Sequence, residues 1–217
     1  MTLFESAQFS TSVASFSELN AAPLAMLPEV AFVGRSNAGK SSVINTLAKR
    51  RQLAYASKTP GRTQLLNFFQ LSERASDGTT LARAYAVDLP GYGFAKVDAS
   101  KRAEWDELAG GYLATRRYLV GVVLVMDARR PLVQADEVML AWLSRRDHAS
   151  RMRVHLLLNK ADQLNRAERT AALRSVEQRI AVLPLSATAQ LFSARTRDGI
   201  EQLRETLDRI IAEARPG

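Results

Sequence analysis

Apolar residues along this chain fall into short dense runs separated by stretches with helical spacing. Val30-Ala31-Phe32-Val33, Leu65-Leu66-Asn67-Phe68-Phe69-Gln70-Leu71, the segment from Thr80 to Asp88, Val154-His155-Leu156-Leu157-Leu158 and Ala189-Gln190-Leu191-Phe192-Ser193-Ala194 read as strands. The run from Tyr118 to Met126 is almost continuously apolar, as a central parallel strand buried on both faces should be. Asp77-Gly78 marks a tight hairpin turn between the second and third of these strands. Helices are predicted from 40 to about 49, over 101–115, over 133–146 with apolar Val133, Val138, Leu140, Ala141 and Leu143, and over 166–179. A final helix places Ile200, Leu203, Leu207, Ile210 and Ile211 on one face, which should pack on the sheet. Strands alternating with helices predict an α/β fold. The expected architecture is a mostly parallel six-stranded sheet, with one antiparallel edge strand and helices on both faces.

Residues 1–25 precede this pattern as an N-terminal extension, in which the alternation from Gln8 to Val13 hints at an added strand. Residues 26–217 then form a single domain, with no repeat or linker to divide them. Hydrophobic residues make up 47% and charged residues 24% of the 217, which is ordinary globular composition. No cysteine is present, so disulfides and thiolate metal sites are excluded. No apolar run reaches membrane-spanning length, and the N-terminus lacks a basic start and a long apolar core, so a cytoplasmic location is expected. The formal net charge of +8 fits either a solvated Arg-rich surface or attraction to a polyanion such as nucleic acid.

Chemistry concentrates where strands end. Gly34-Arg35-Ser36-Asn37-Ala38-Gly39-Lys40-Ser41 follows a strand and opens a helix with the spacing GxxxxGKS. Gly34 and Gly39 permit backbone angles that turn successive N–H groups around an anion, and the helix start adds positive potential. Lys40 would reach the β- and γ-phosphates of a nucleotide, and the Ser41 hydroxyl would ligate Mg²⁺. Asp88-Leu89-Pro90-Gly91 supplies a carboxylate for the Mg²⁺ water shell and a Gly91 N–H for the γ-phosphate. Thr63, with Thr59 as its competitor, is the candidate second hydroxyl ligand, on a polar segment from Lys49 to Gln64. Asn159-Lys160-Ala161-Asp162 reads the base, because a carboxylate such as Asp162 can accept both N1–H and the N2 amino group of guanine. Ser186-Ala187 and Ser193-Ala194 are both candidates to meet guanine O6. Ser193-Ala194 is preferred because Gly199-Ile200 and Leu203 follow it at the spacing of a helix start.

These motifs, together with KTPGRTQLLNFF at 58–69 and DLPGYGFAKV at 88–97, resemble the EngB family of ribosome-biogenesis GTP-binding proteins within the translation-factor-like GTPases. The resemblance covers about residues 8–212. It implies a Ras-like P-loop GTPase domain that binds GTP and GDP with Mg²⁺ and assists maturation of the large ribosomal subunit. It also implies a monomer with no membrane partner. The family's nucleotide contacts correspond here to Gly34 through Ser41, then Gly61, Arg62, Thr63, Gln64 and Leu65, with Mg²⁺ on Ser41 and Thr63. Asp88, Leu89, Pro90 and Gly91, Asn159, Lys160, Ala161 and Asp162, and Phe192, Ser193 and Ala194 complete the implied set.

Ras-type enzymes place a glutamine after DxxG to position the attacking water, and this chain has Tyr92 there. Slow intrinsic hydrolysis is therefore expected, with Lys40, Thr63 and Asn37 as the candidate catalytic groups. Asn37 resembles the loop asparagine of cation-dependent GTPases, which implies K⁺ beside the phosphates; the competing role is a loop cap. The leading reading is a switch in which GTP orders residues 52–65 and 89–98 for docking on a pre-ribosomal particle. A P-loop kinase or ATPase without guanine preference, and a nucleotide-gated binding module with negligible turnover, are the alternatives. His155 reads as a packed or edge histidine, and His148 lies away from the motifs. Trp105 and Trp142 read as core or interface anchors, and the arginine pairs at 50–51, 116–117, 129–130 and 145–146 as candidate RNA-facing patches.

Overall fold

The computed structural model describes residues 2–22, 24–54, 65–93, 103, 105–145 and 152–214. Its strands are β1 (Gln8–Val13), β2 (Glu29–Gly34), β3 (Leu66–Arg74), β4 (Thr80–Asp88), β5 (Leu119–Asp127), β6 (Arg153–Asn159) and β7 (Ser186–Leu191). Its helices are α1 (Phe16–Ala21), α2 (Lys40–Leu47), α3 (Gly111–Thr115), α4 (Gln134–Ser144), α5 (Arg166–Ile180) and α6 (Ile200–Glu213). One seven-stranded sheet holds all the strands in the order β1-β3-β4-β2-β5-β6-β7.

The expected α/β class is observed, with two corrections. The sheet has seven strands where six were expected, because Gln8–Val13 pairs along β3. The antiparallel strand, β3, is consequently not at the edge: it lies between β1 and β4 and runs against both. Pairing outward from a strand with a free edge satisfies backbone groups that would otherwise stand open.

Alternation along the strands divides the core in two. Ala31, Val33, Val122, Leu124, Leu156 and Leu158 pack on one face, with Leu108, Tyr112, Leu140 and Val176 from the covering segments. Val30, Phe32, Val123, Val125 and Leu157 pack on the other, against Ile44 and Leu47 of α2 and Leu203, Leu207 and Ile210 of α6. Burial on both faces is why these strands read as continuous apolar runs. The helix expected over 101–115 is interrupted by a π-type turn over Asp106–Gly110, after which α3 continues. In α4 it is Met139, not Val138, that turns inward; Val138 is exposed.

Local chemistry agrees with these boundaries. Asn165 caps α5 by accepting from Glu168 N at 3.0 Å, while Glu168 accepts from Asn165 N at 2.8 Å. The β3–β4 turn holds Asp77-Gly78 as expected, with Thr79 N and Oγ1 donating to the Asp77 carboxylate. The last strand begins and ends earlier than the expected 189–194, so Phe192, Ser193 and Ala194 lie beyond it in a loop.

His155 is buried in β6, and desolvation pushes its pKa from 6.5 down to about 4. Between these values the unfolded chain binds a proton that the folded chain does not. Stability is therefore full above about pH 6.5 and is lost as pH falls toward 4. Urea unfolding at pH 7 and pH 5 is expected to show about 2 kcal/mol of this loss in the native chain but not in His155→Gln. Equal pH slopes for the two would refute the assignment.

Candidate functional site

β2 delivers Gly34 and α2 begins at Lys40, so the intervening loop sits at the C-terminal end of the sheet. Two residues in it are left-handed, Asn37 at φ 66° and Gly39 at φ 94°. A Cβ on Gly39 would lie 2.3 Å from Asn159 Nδ2, so conformation and space both demand glycine. Ser36 N donates to Tyr92 O at 3.3 Å and Ala38 N to Arg35 O at 3.0 Å. Among the described residues, the N–H groups of Asn37, Gly39, Lys40 and Ser41 have no acceptor. Free donors around the start of a helix form a cradle for an anion. The Lys40 ammonium pairs with the Asp88 carboxylate, which β4 brings to the same edge.

Tyr92, immediately after Gly91, is turned away into the protein. Its hydroxyl donates to Asp136 Oδ1 at 2.8 Å, on the first turn of α4, and its ring packs edge-on against Trp105 at 6.3 Å. Burial pushes the Tyr92 pKa up and the neighbouring Asp136 charge pushes it further, so it stays a neutral phenol. Burial also raises the Asp136 pKa, against the hydrogen bond from Tyr92 and the charge of Arg35. Arg35 completes the cluster, with Nε 3.3 Å from Asp136 Oδ1, while Trp105 Nε1 donates to Pro90 O at 2.9 Å.

On the other side of the loop, β6 delivers Asn159 to Asp162. The Asn159 amide donates to Ala38 O at 2.9 Å and accepts from Ala194 N at 3.2 Å. Lys160 donates to Asn37 O at 2.7 Å and to Asp127 Oδ2 at 2.9 Å. Arg129 grips the same Asp127 carboxylate through Nε at 2.9 Å and a terminal nitrogen at 2.6 Å. Those hydrogen bonds, Arg129's first, hold Asp127 well below the usual carboxylate range. Asp162 accepts from Ser193 Oγ at 2.7 Å and from Arg195 Nε at 2.9 Å; the Ser193 bond and the Arg195 charge lower its pKa. Phe192, fully buried, is tied to the strand by bonds to Leu158 O and from Ala161 N. An open cleft of about 500 Å³ beside the loop is lined by Arg35, Ser36, Asn37, Ala38, Asp127, Arg129, Arg130 and Lys160.

The structure thus brings Gly34–Ser41, Asp88–Gly91, Asn159–Asp162 and Phe192–Ala194 to one end of the sheet. Ser186 and Ala187 pair with Arg153 and Val154 at the opposite end of β6. Leu65 stands one residue before β3, whereas Gly61, Arg62, Thr63, Gln64 and the competitor Thr59 lie outside the described residues. The sequence reading missed the Asp127–Arg129 pair that holds Lys160; an Asp ending a buried strand is the signal that pointed to it.

Fold and site together define a P-loop GTPase domain. A family model described as "50S ribosome-binding GTPase" matches residues 29–160. A probable GTP-binding protein EngB of Laribacter hongkongensis is 47% identical, the match covering 94% of this chain and 84% of that protein. One from Thiobacillus denitrificans is 47% identical, covering 90% of this chain and 86% of its own. The chain belongs to the EngB family of GTP-binding proteins. Among solved structures, a probable GTP-binding protein EngB superposes with TM-score 0.61 at 21% identity, covering 86% of this chain and all of that one. A GTP-binding protein of Sulfolobus solfataricus in complex with GDP gives TM-score 0.59 at 18% identity, covering 91% of this chain but 56% of that one. At these identities both show the shared fold.

Gly39→Ala is expected to abolish measurable binding of a fluorescent GDP analogue and to lower the thermal midpoint, since its methyl would displace Asn159. Binding at the native affinity would mean that the loop rearranges freely.

Proposed function

We propose that this GTPase is a slow nucleotide-operated switch that assists assembly of the large ribosomal subunit, acting as a monomer in the cytoplasm. The description of the matched family supports the ribosomal partner, and a net charge of +8 is compatible with an RNA-bearing one. The observation that carries the slow-hydrolysis reading is the Tyr92 hydroxyl bound to Asp136, which commits that side chain to the protein interior.

In this reading the free N–H groups of Asn37, Gly39, Lys40 and Ser41 and the Lys40 ammonium hold the β- and γ-phosphates. Asp162 accepts from guanine N1–H and the N2 amino group, Lys160 lies along the base, and Ala194 N–H meets O6. Water attacks the γ-phosphorus, the bond to the β–γ bridging oxygen breaks, and GDP and phosphate leave. The residues fit Mg²⁺: Ser41 offers a hydroxyl with no partner among the described residues, on the loop whose Lys40 pairs with the Asp88 carboxylate, and hard oxygen donors suit that ion. No group of three or more acidic or imidazole side chains among the described residues could hold a metal alone, so substrate phosphates would complete its shell. Mg²⁺ would neutralise charge on the phosphates, with Thr63 as the second protein ligand. The Asn37 side chain makes no hydrogen bond among the described residues, which leaves it free to ligate K⁺ rather than cap the loop. Faster turnover in KCl than in NaCl would bear this out, and equal rates would remove it.

Three expected results test the proposal. Asp162→Asn should lose its preference for GDP over ADP, read by titration of fluorescent analogues. Large subunits should cosediment with the chain in a non-hydrolysable GTP analogue more than in GDP, and should speed single-turnover hydrolysis. Cosedimentation that ignores the nucleotide would contradict the switch.

A further inference from the structure

The loop that carries Phe192, Ser193 and Ala194 leaves β7 at Leu191 and returns at Gly199, the N-terminal cap of α6. Gln190 is 1% exposed, and its side-chain nitrogen donates to Gly199 O at 2.8 Å and to Leu191 O at 3.3 Å. One amide group therefore grips both ends of the loop. Gly199 has φ 79°, and a Cβ there would lie 2.9 Å from Gln190 Nε2 and 2.5 Å from Leu191 O, so the ends meet with no room to spare. Inside the loop, Ser193 N donates to Asp198 O at 3.0 Å and Arg197 N to Ser193 O at 2.8 Å.

The grip settles the orientation of the whole relay. With its nitrogen donating to two carbonyls, the Gln190 amide must accept through Oε1. His155 Nε2 lies 3.1 Å from that oxygen and so carries the imidazole proton. Nδ1 is left to accept from Thr188 Oγ1 at 2.8 Å. A single chain of donors runs from Thr188 through His155 and Gln190 to Leu191 and Gly199. Leu157 occupies the neighbouring strand position on an otherwise apolar face, packed with Leu203 and Leu207. An apolar pair in place of His155 and Gln190 would avoid their desolvation, so what the polar pair adds is direction.

We propose that His155 and Gln190 are positioning residues for guanine nucleotide: they clamp the 192–198 loop in advance, so that bound nucleotide is released slowly. The inference rests on the reading that Asp162 and this loop hold the base. It commits to an effect on nucleotide residence by two side chains that reach the base site only through other residues.

The test is stopped-flow release of a fluorescent GDP analogue, with thermal midpoints, from Gln190→Leu, His155→Leu and His155→Gln. The leucine variants are expected to release the analogue on the order of tenfold faster, the effect of one lost buried hydrogen bond. Glutamine can place a donor where Nε2 stood, so His155→Gln is expected to stay within about twofold of the native rate. Native release from a folded Gln190→Leu, or equal acceleration in His155→Gln and His155→Leu, would overturn the clamp. Should the leucine variants fail to fold, nitrogen-15 spectra of the native chain decide. The Nε2–H tautomer, with a Gln190 amide whose exchange slows when GDP is added, supports the proposal; the Nδ1–H tautomer, or no response to GDP, refutes it. Asp162→Asn, measured alongside, separates the two failures. If it keeps its guanine preference the base-site reading fails; if it loses that preference while Gln190→Leu releases normally, only the clamp does.

Discussion

One buried carboxamide holds the two halves of this site together. The Asn159 side chain donates to the phosphate loop at Ala38 O and accepts from the base-side loop at Ala194 N. Neither loop belongs to regular structure, and backbone groups outside such structure need partners of their own. Asn159 is 2% exposed at the end of β6, a strand paired on both sides, so the bridge is fixed by the sheet rather than by the loops it joins. Its Nδ2 also fills the space where a Cβ on Gly39 would stand, so loop shape and bridge depend on each other. Lys160 repeats the logic one residue on, tying Asn37 O to Asp127.

The phosphate side has a second anchor in the Tyr92–Asp136–Arg35 cluster. A phenol hydrogen-bonded to a buried carboxylate, with a guanidinium 3.3 Å away as its ion-pair partner, connects the segment after β4, the start of α4 and the loop after β2. Asp136 also accepts from Val133 N at 3.3 Å, so the same carboxylate caps its helix. Removing the phenol would leave the fully buried Asp136 Oδ1 without its donor, which costs more than the bond itself contributes. In this family member the position after DxxG therefore serves architecture, consistent with chemistry being left to other groups.

Much of this was legible in the sequence because strand burial and strand ends both leave marks. Continuous apolar runs such as residues 118–126 announce strands covered on both faces, and the motifs at 34–41, 88–91 and 159–162 each follow such a run. The added strand at the edge was only a hint, since half-exposed Gln8–Val13 alternates weakly, and so the strand count came out one short. The limits of β7 were misread because Phe192 is as buried as a strand residue although it lies in the loop. His155, expected as a packed or an edge histidine, is packed inside the sheet, yet nothing in the one-dimensional pattern joins it to Gln190 and Gly199. Contacts across parallel strands have no fixed spacing in sequence, and neither has the Tyr92–Asp136 bond, which spans 44 positions.

Hydrogen exchange on Asn159→Ala tests most directly whether the phosphate and base loops form one unit through this bridge. The hydrogen-bonded amides that hold the phosphate loop, those of Ser36, Ala38 and Val43, and the amides of Ser193 and Ala194 are expected to lose protection together, with GDP affinity falling in step. Loss of protection confined to Ser193 and Ala194, with the phosphate loop as protected as in the native chain, would contradict it.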